Sequence, residues 1–140
     1  MALRPFLPED IPAARALWQA TPGVGLSAAD EPAALAAFLT RNPTTCFVAV
    51  AQGGLAGTIL VGHDGRRGLI HHLAVATDSR RSGLGRRLVE AGLAALHAQG
   101  IDKCHLMVFT NNAGGAAFWT GIGATRRNEL ALYSLPTARR

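Results

Sequence analysis

Apolar positions in the first forty residues recur every three to four, after a short opening run that reads as a strand at residues 3–6 (LRPF). Ile11, Ala14, Leu17 and Trp18 share one helical face, with Asp10 placed to cap that helix and Pro12 in its first turn. The segment TPGVGL (21–26) breaks the period and reads as a loop. Ser27 or Asp30 then opens a second amphipathic helix carrying Leu35, Phe38 and Leu39, which ends near Asn42-Pro43 because the residue before a proline disfavours the helical region.

The period then shortens. Residues 46–51 and 56–63 are β-rich runs joined at Gly53-Gly54, a hairpin signal, and a third run, LIHHLAVA (69–76), follows the turn-prone DGRRG (64–68). Three antiparallel neighbours are expected there. Helical spacing returns from Gly83 to about Ala98 through Leu84, Leu88, Leu93 and Leu96, with Gly100 as its stop. A strand at 104–109, a short helix from Ala113 to about Thr120 and a last strand at 129–135 complete the order β-α-α-β-β-β-α-β-α-β. This is an α+β arrangement with no internal repeat or linker, and residues 1–140 are expected to form one domain.

Composition agrees with a packed domain: 49% of residues are hydrophobic and 16% charged. Fourteen Lys plus Arg against nine Asp plus Glu leave a formal charge of +5, and Lys103 is the only lysine. Guanidinium groups grip phosphate or carboxylate bidentately, so an anionic partner is favoured, although such charge also serves solubility. Cys46 and Cys104 lie far apart in apolar stretches, as expected of small buried hydrophobes in a reducing compartment. The N-terminus lacks the apolar run of a signal peptide and no stretch is long enough to span a membrane, so a cytoplasmic location is expected.

The stretch richest in chemistry is Arg80-Arg81-Ser82-Gly83-Leu84-Gly85-Arg86-Arg87, between a buried strand and a helix. A helix N-terminus exposes unpaired N–H groups, and glycines let an anion approach that backbone. A dinucleotide fingerprint would need a third glycine where Leu88 stands, and a Walker loop would need Gly-Lys-Ser/Thr; neither is met. What remains is Arg-x-x-Gly-x-Gly, formed by Arg80, Gly83 and Gly85.

On this motif, the opening LRPFLPEDIPAARALW, the strand LIHHLAV and the later NNAGGAAFWTGIGA, nearly the whole chain resembles the GNAT superfamily of acetyl-CoA-dependent N-acetyltransferases, in its small single-domain bacterial form. The resemblance implies a mostly antiparallel central sheet flanked by about four helices. Two central strands, 69–76 and 104–109, would splay into a V that takes the pantetheine arm. It implies backbone contacts to that arm along Leu73, Ala74 and Val75, and a pyrophosphate site at Arg80, Arg81, Ser82, Gly83, Leu84, Gly85 and Arg86. Leu84, Leu88 and Val89 also read as core. Asn112 matches the family asparagine that opens the next helix and reaches the pantetheine, and Phe118-Trp119 matches its aromatic pair. Two positions depart from the pattern. Arg81 stands where glycine is usual, and Trp119 stands where many members place the tyrosine that protonates the departing thiolate. Tyr133 and Ser134 are remote replacements.

Transfer of acetyl from a thioester to an amine requires an uncharged amine, so a base that removes an ammonium proton suffices, and histidine suits that work near neutral pH. Strand alternation places Leu69, His71, Leu73 and Val75 on one face and Ile70, His72 and Ala74 on the other. Because some family members carry a base on the face matching His71, His71 is the catalytic candidate, with Tyr133 as the remote acid. His63, His97 and His105 have no carboxylate at ligand spacing, so no metal is expected, and no Gly-x-Ser-x-Gly elbow is present. The expected activity is therefore acetylation of a primary amine, on a small compound or a peptide, by direct attack in a ternary complex, with a homodimer as the expected assembly. Two rivals are a CoA-binding regulator without turnover, motivated by Trp119, and a basic nucleic-acid-binding module. Against the second, aromatic residues are only 6% of the chain and no stacking motif appears.

Overall fold

The computed structural model describes residues 2–138. Its contacts divide into two compact units, one running to Phe109 and the other beginning at Thr110.

In the first unit, five strands lie in sequence order: β1 (Ala2–Pro5), β2 (Phe47–Ala51), β3 (Gly54–His63), β4 (Gly68–Val75) and β5 (Cys104–Leu106). The first four are antiparallel, and β5 joins β4 in parallel. Helices α1 (Ile11–Gln19) and α2 (Pro32–Arg41) separate β1 from β2, and α3 (Leu84–Ala98) separates β4 from β5. The expected order of elements is therefore met up to this point, with the hairpin turn at Gln52-Gly53, where Gly53 has a φ of 91°.

Both faces of the sheet are covered. Phe6, Ile11, Ala14, Trp18, Leu35 and Leu39 form one core cluster with Val48, Leu60 and Ala74. Against the other face lies α3, which buries Leu84, Leu88, Val89 and Leu96. The approach is close: a Cβ on Gly57 would lie 2.9 Å from Leu88 Cδ1 and 3.1 Å from the Ala74 carbonyl oxygen. Odd-numbered Gly57 of β3 thus faces α3, whereas its neighbour Thr58 faces α1, where it meets Trp18.

Two caps differ from expectation. The Asp10 side chain makes no capping bond to α1; it accepts from Leu7 N–H (2.8 Å) and holds Arg4 through two bonds of 2.7 and 2.8 Å. A nearby guanidinium competes successfully for a carboxylate, because the charge-assisted fork is stronger than a bond to a neutral amide. Likewise Ser27 and Asp30 do not open α2. They close a 3₁₀ turn at Ala28–Asp30, Ser27 Oγ accepting from Ala29 N–H and Asp30 Oδ2 from Ser27 N–H, and α2 starts after it with Pro32 in its first turn.

The second unit holds α4 (Ala113–Gly121). The strand expected at residues 129–135 is not formed, and Leu130, Leu132, Tyr133 and Leu135 are exposed there. Alternation marks a segment suited to a sheet, but a strand exists only through ladder bonds to a neighbour, and the segment has none among the described residues. Consequently β5 is an edge strand among the described residues, not a central one, and it is shorter than the expected 104–109.

Candidate active site

Pairing between β4 and β5 covers only Gly68–Ile70 against Cys104–Leu106. Beyond Ile70 the two strands share no ladder, which is the splay expected from the resemblance. The strand on the open side then changes course. Thr58 stands opposite Ala74 and Leu60 opposite His71, so Ile59 faces two residues, His72 and Leu73, at a β-bulge. His72 takes a φ of 39°, a left-handed conformation that histidine adopts more readily than most residues.

The bulge overturns the expected alternation. His71 is paired with Leu60, and Ala74 with Thr58, both on the face covered by α1 and α2, while Val75 opposite Gly57 belongs to the α3 face. His72 also lies on the α1–α2 face, with its ring 4.6 Å from that of Trp18 and 6.4 Å from that of His71. The extra residue adds half a strand period, so side chains after it change sides. His71 and His72 are therefore neighbours in one site instead of pointing to opposite faces.

Their settings differ. The His71 ring meets the edge of Phe38, with centroids 5.8 Å apart and planes at 82°, and burial lowers its pKa from the ordinary 6.5, helped by the nearby His72 and opposed by Asp30. His72 Nε2 lies 2.6 Å from Asp30 Oδ1. Its carbonyl accepts from Thr58 Oγ1 (3.0 Å), and that hydroxyl in turn accepts from Trp18 Nε1 (2.8 Å). Asp30 is a site residue that the sequence marked as a helix opener. No local signal links it to a strand 42 residues away.

The loop after β4 leads to the N-terminus of α3. Gly83, the residue before the helix, has a φ of 79°, and no side chain caps the helix. The first helical bond recorded there runs from Arg87 N–H to the Gly83 carbonyl (3.1 Å), which leaves the amides of Leu84, Gly85 and Arg86 without intrahelical acceptors. Arg81 takes the left-handed conformation (φ 62°) that the usual glycine would supply, so its side chain is accommodated by the backbone. Arg80 Nε–H donates to the Val75 carbonyl (3.2 Å), and Ser82 Oγ–H donates to the Ser79 carbonyl (2.6 Å), tying the loop to the end of β4 and to itself. Arg80, Arg81, Ser82, Gly83 and Arg86 are exposed, whereas Leu84 and Ala74 are buried core residues that offer backbone groups alone. Leu73 and Val75 are half-buried.

In the second unit, Asn112 Oδ1 accepts from Gly115 N–H (2.9 Å) and caps α4, so only its amide nitrogen is left for a ligand. Phe118 and Trp119 pack edge to face, with centroids 5.2 Å apart. Tyr133 is 89% exposed and makes no hydrogen bond among the described residues.

Residues 11–124 match the model of the acetyltransferase (GNAT) family. An acetyltransferase of Photorhabdus laumondii is 31% identical over 116 residues, covering 80% of this chain and 78% of that protein. The chain spans about half (52%) of the length of other curated relatives it matches, which are also acetyltransferases. Among solved structures, the ribosomal-protein-S18-alanine N-acetyltransferase from Escherichia coli superposes with a TM-score of 0.70 at 26% identity, covering 91% of this chain and 81% of that one. The NatC complex bound to Gag peptide and CoA gives 0.75 at 21% identity over 90% of this chain and 85% of that one, a likeness of fold. No helix among the described residues is long and apolar enough to cross a membrane. The family match spans the same stretch, from α1 through the splayed strands to the end of α4, in which the expected motifs stand, and the chain belongs to the GNAT acetyltransferase family.

Proposed function

We propose that the chain works as one acetyltransferase domain, moving the acetyl group of acetyl-CoA to a primary amine by direct attack in a ternary complex in the cytoplasm. The observation that carries this reading is the uncapped N-terminus of α3, with three free amides and a run of arginines, directly after the strand whose pairing to β5 has stopped. Those amides and the positive end of the helix fit a pyrophosphate, and Arg80, Arg81 and Arg86 add charge-assisted donors. Leu73, Ala74 and Val75 offer backbone groups to the pantetheine. Acetyl-CoA, when bound, supplies an activated thioester carbonyl. A structure of similar fold is bound to CoA and a peptide, which supports acetyl-CoA as the donor.

The chain's own contribution to the chemistry is proton removal from the incoming ammonium, at the His71–His72 step of β4. Burial keeps His71 uncharged at neutral pH, and His72 stands beside it. The thiolate that leaves takes its proton from water. The likeness to a ribosomal-protein-S18-alanine N-acetyltransferase supports a free amine as acceptor, with a peptide α-amine the first to try.

Calorimetric titration of acetyl-CoA and CoA into the wild type and into Gly83→Asp/Gly85→Asp tests the reading. Binding by the wild type and its loss in the variant is the expected result, because two carboxylates would sit on the amides that receive the pyrophosphate. A folded wild type that binds neither molecule would refute it.

A further inference from the structure

His72 is held at three points, all by residues distant in the chain. Thr58 Oγ1–H fixes its carbonyl, the ring of Trp18 lies 4.6 Å from its own, and Asp30 Oδ1 meets Nε2 at 2.6 Å. The Asp30 carboxylate is itself anchored, since its second oxygen accepts from Ser27 N–H at 2.9 Å. The side chains of His72 and Asp30 are 15% and 9% exposed, so the pair is shielded from bulk water. The other ring nitrogen, Nδ1, makes no hydrogen bond among the described residues and is not among the sealed polar atoms that lack a partner, which leaves it in contact with solvent. His71, by contrast, stands against the Phe38 edge and its neighbour's ring, with no hydrogen-bond partner among the described residues to set its orientation.

A carboxylate acceptor selects one tautomer of a neutral imidazole, the one whose proton points at it, and thereby makes the opposite nitrogen the free lone pair. This is the logic by which a base is oriented by a third group. We propose that Asp30 is a positioning residue for His72, holding the ring as the Nε2–H tautomer so that Nδ1 is the atom that takes the proton of the acceptor ammonium. The inference rests on the acetyl transfer proposed above and names which histidine works and why. One ammonium proton passes to the Nδ1 lone pair and from there to water. The uncharged amine nitrogen then forms the C–N bond as the C–S bond breaks, its second proton passing to water, and the departing sulfur takes its proton from water. Because Asp30 comes from the turn between α1 and α2, the same turn that shapes that side of the site also sets the base.

The test has an arm that needs no acceptor. In protein labelled with ¹⁵N-histidine, long-range ¹H–¹⁵N correlation spectra, with His72→Gln for assignment, are expected to show the neutral form of His72 protonated at Nε2 and bare at Nδ1. Asp30→Asn, whose amide can donate to Nε2, is expected to shift that balance. In steady-state assays with an alanine-initiated peptide, an N-acetylated lysine peptide and spermidine, Asp30→Asn is expected to lower kcat about 10- to 100-fold, a part of what general base catalysis contributes. Its affinity for acetyl-CoA by calorimetry should be unchanged. The double variant Asp30→Asn/His72→Gln should be no slower than His72→Gln alone, because a residue acting only through His72 has nothing left to lose. An Nδ1–H tautomer in the wild type, full turnover in Asp30→Asn, or losses that multiply in the double variant would each overturn the proposal while leaving acetyl transfer intact. A protein that binds acetyl-CoA yet acetylates no amine would overturn the functional reading, and with it this one. Asp30→Asn keeps an oxygen for Ser27; should it fail to fold, the wild-type tautomer and the His72→Gln kinetics decide the matter.

Discussion

Replacing Thr58 by valine separates the role of a hydroxyl from that of volume at the hinge of the site. Thr58 is fully buried, and its Oγ1 accepts from Trp18 Nε1–H at 2.8 Å while donating to the His72 carbonyl at 3.0 Å. Valine has nearly the same shape, so no cavity forms, but two polar groups lose their partner. Trp18 is 1% exposed, and its indole N–H has no route to water. Leaving a buried donor or acceptor unsatisfied costs about 1–3 kcal/mol. With the half-buried His72 carbonyl at the low end of that range and Trp18 at the high end, Thr58→Val is expected to cost about 2–4 kcal/mol. Thr58→Ser removes only a methyl group, about 1 kcal/mol by the value of one buried CH₂, and keeps both bonds. Urea unfolding with a common m-value measures both variants. A valine variant within 1 kcal/mol of wild type, or a serine variant less stable than the valine one, would show that the bulge is not held by this hydroxyl. If the hydroxyl does hold it, the His72 ring signals of Thr58→Val should also broaden or double, because the left-handed backbone at that residue has lost its anchor.

Other outcomes follow from the same geometry. Gly57→Ala places a Cβ 2.9 Å from Leu88 and 3.1 Å from the Ala74 carbonyl, and chemical denaturation should show a loss of about 1–3 kcal/mol, the range for overpacking a filled core. Stability should fall with acid in two windows. His71, whose folded pKa lies below 6.5, binds its proton more readily when unfolded, so stability declines as pH falls through 6.5 towards the lowered value. The Arg4 guanidinium, more than burial opposes it, holds Asp10 below its ordinary 3.8. Its contribution is therefore complete above 3.8 and lost as pH falls through the lowered value, which thermal melts of wild type and Asp10→Asn would reveal. Burial raises the Cys46 thiol to about 11, so a thiol reagent at pH 8 should modify Cys46 only at the rate of unfolding, and rapid native-state labelling at that residue would contradict the packing.

What the sequence determined by itself was local. Helical and strand periods ordered the elements through α4, since each reflects which side of a single segment is apolar. The glycines and arginines at 80–87 announced an anion-receptive helix start because a helix terminus exposes its amides whatever it packs against. In the structure Gly83 is left-handed and α3 starts without a side-chain cap. Where partners lay outside the segment itself, the pattern was silent or misleading. Asp10 resembles a cap until Arg4 claims its carboxylate across the turn. Residues 129–135 alternate as a strand does, but a ladder needs a neighbour that the pattern cannot supply. His71 and His72 belong to opposite faces in any regular strand. A single extra residue opposite Ile59 brings them to one face, and that residue is tolerated because Thr58, whose hydroxyl accepts from Trp18, donates to the displaced carbonyl. Asp30 reaches His72 only after the turn between α1 and α2 has been laid on the sheet. Only the tertiary structure decided which histidine has a carboxylate beside it, because that choice is made by contacts between segments and not by the periodicity of any one of them.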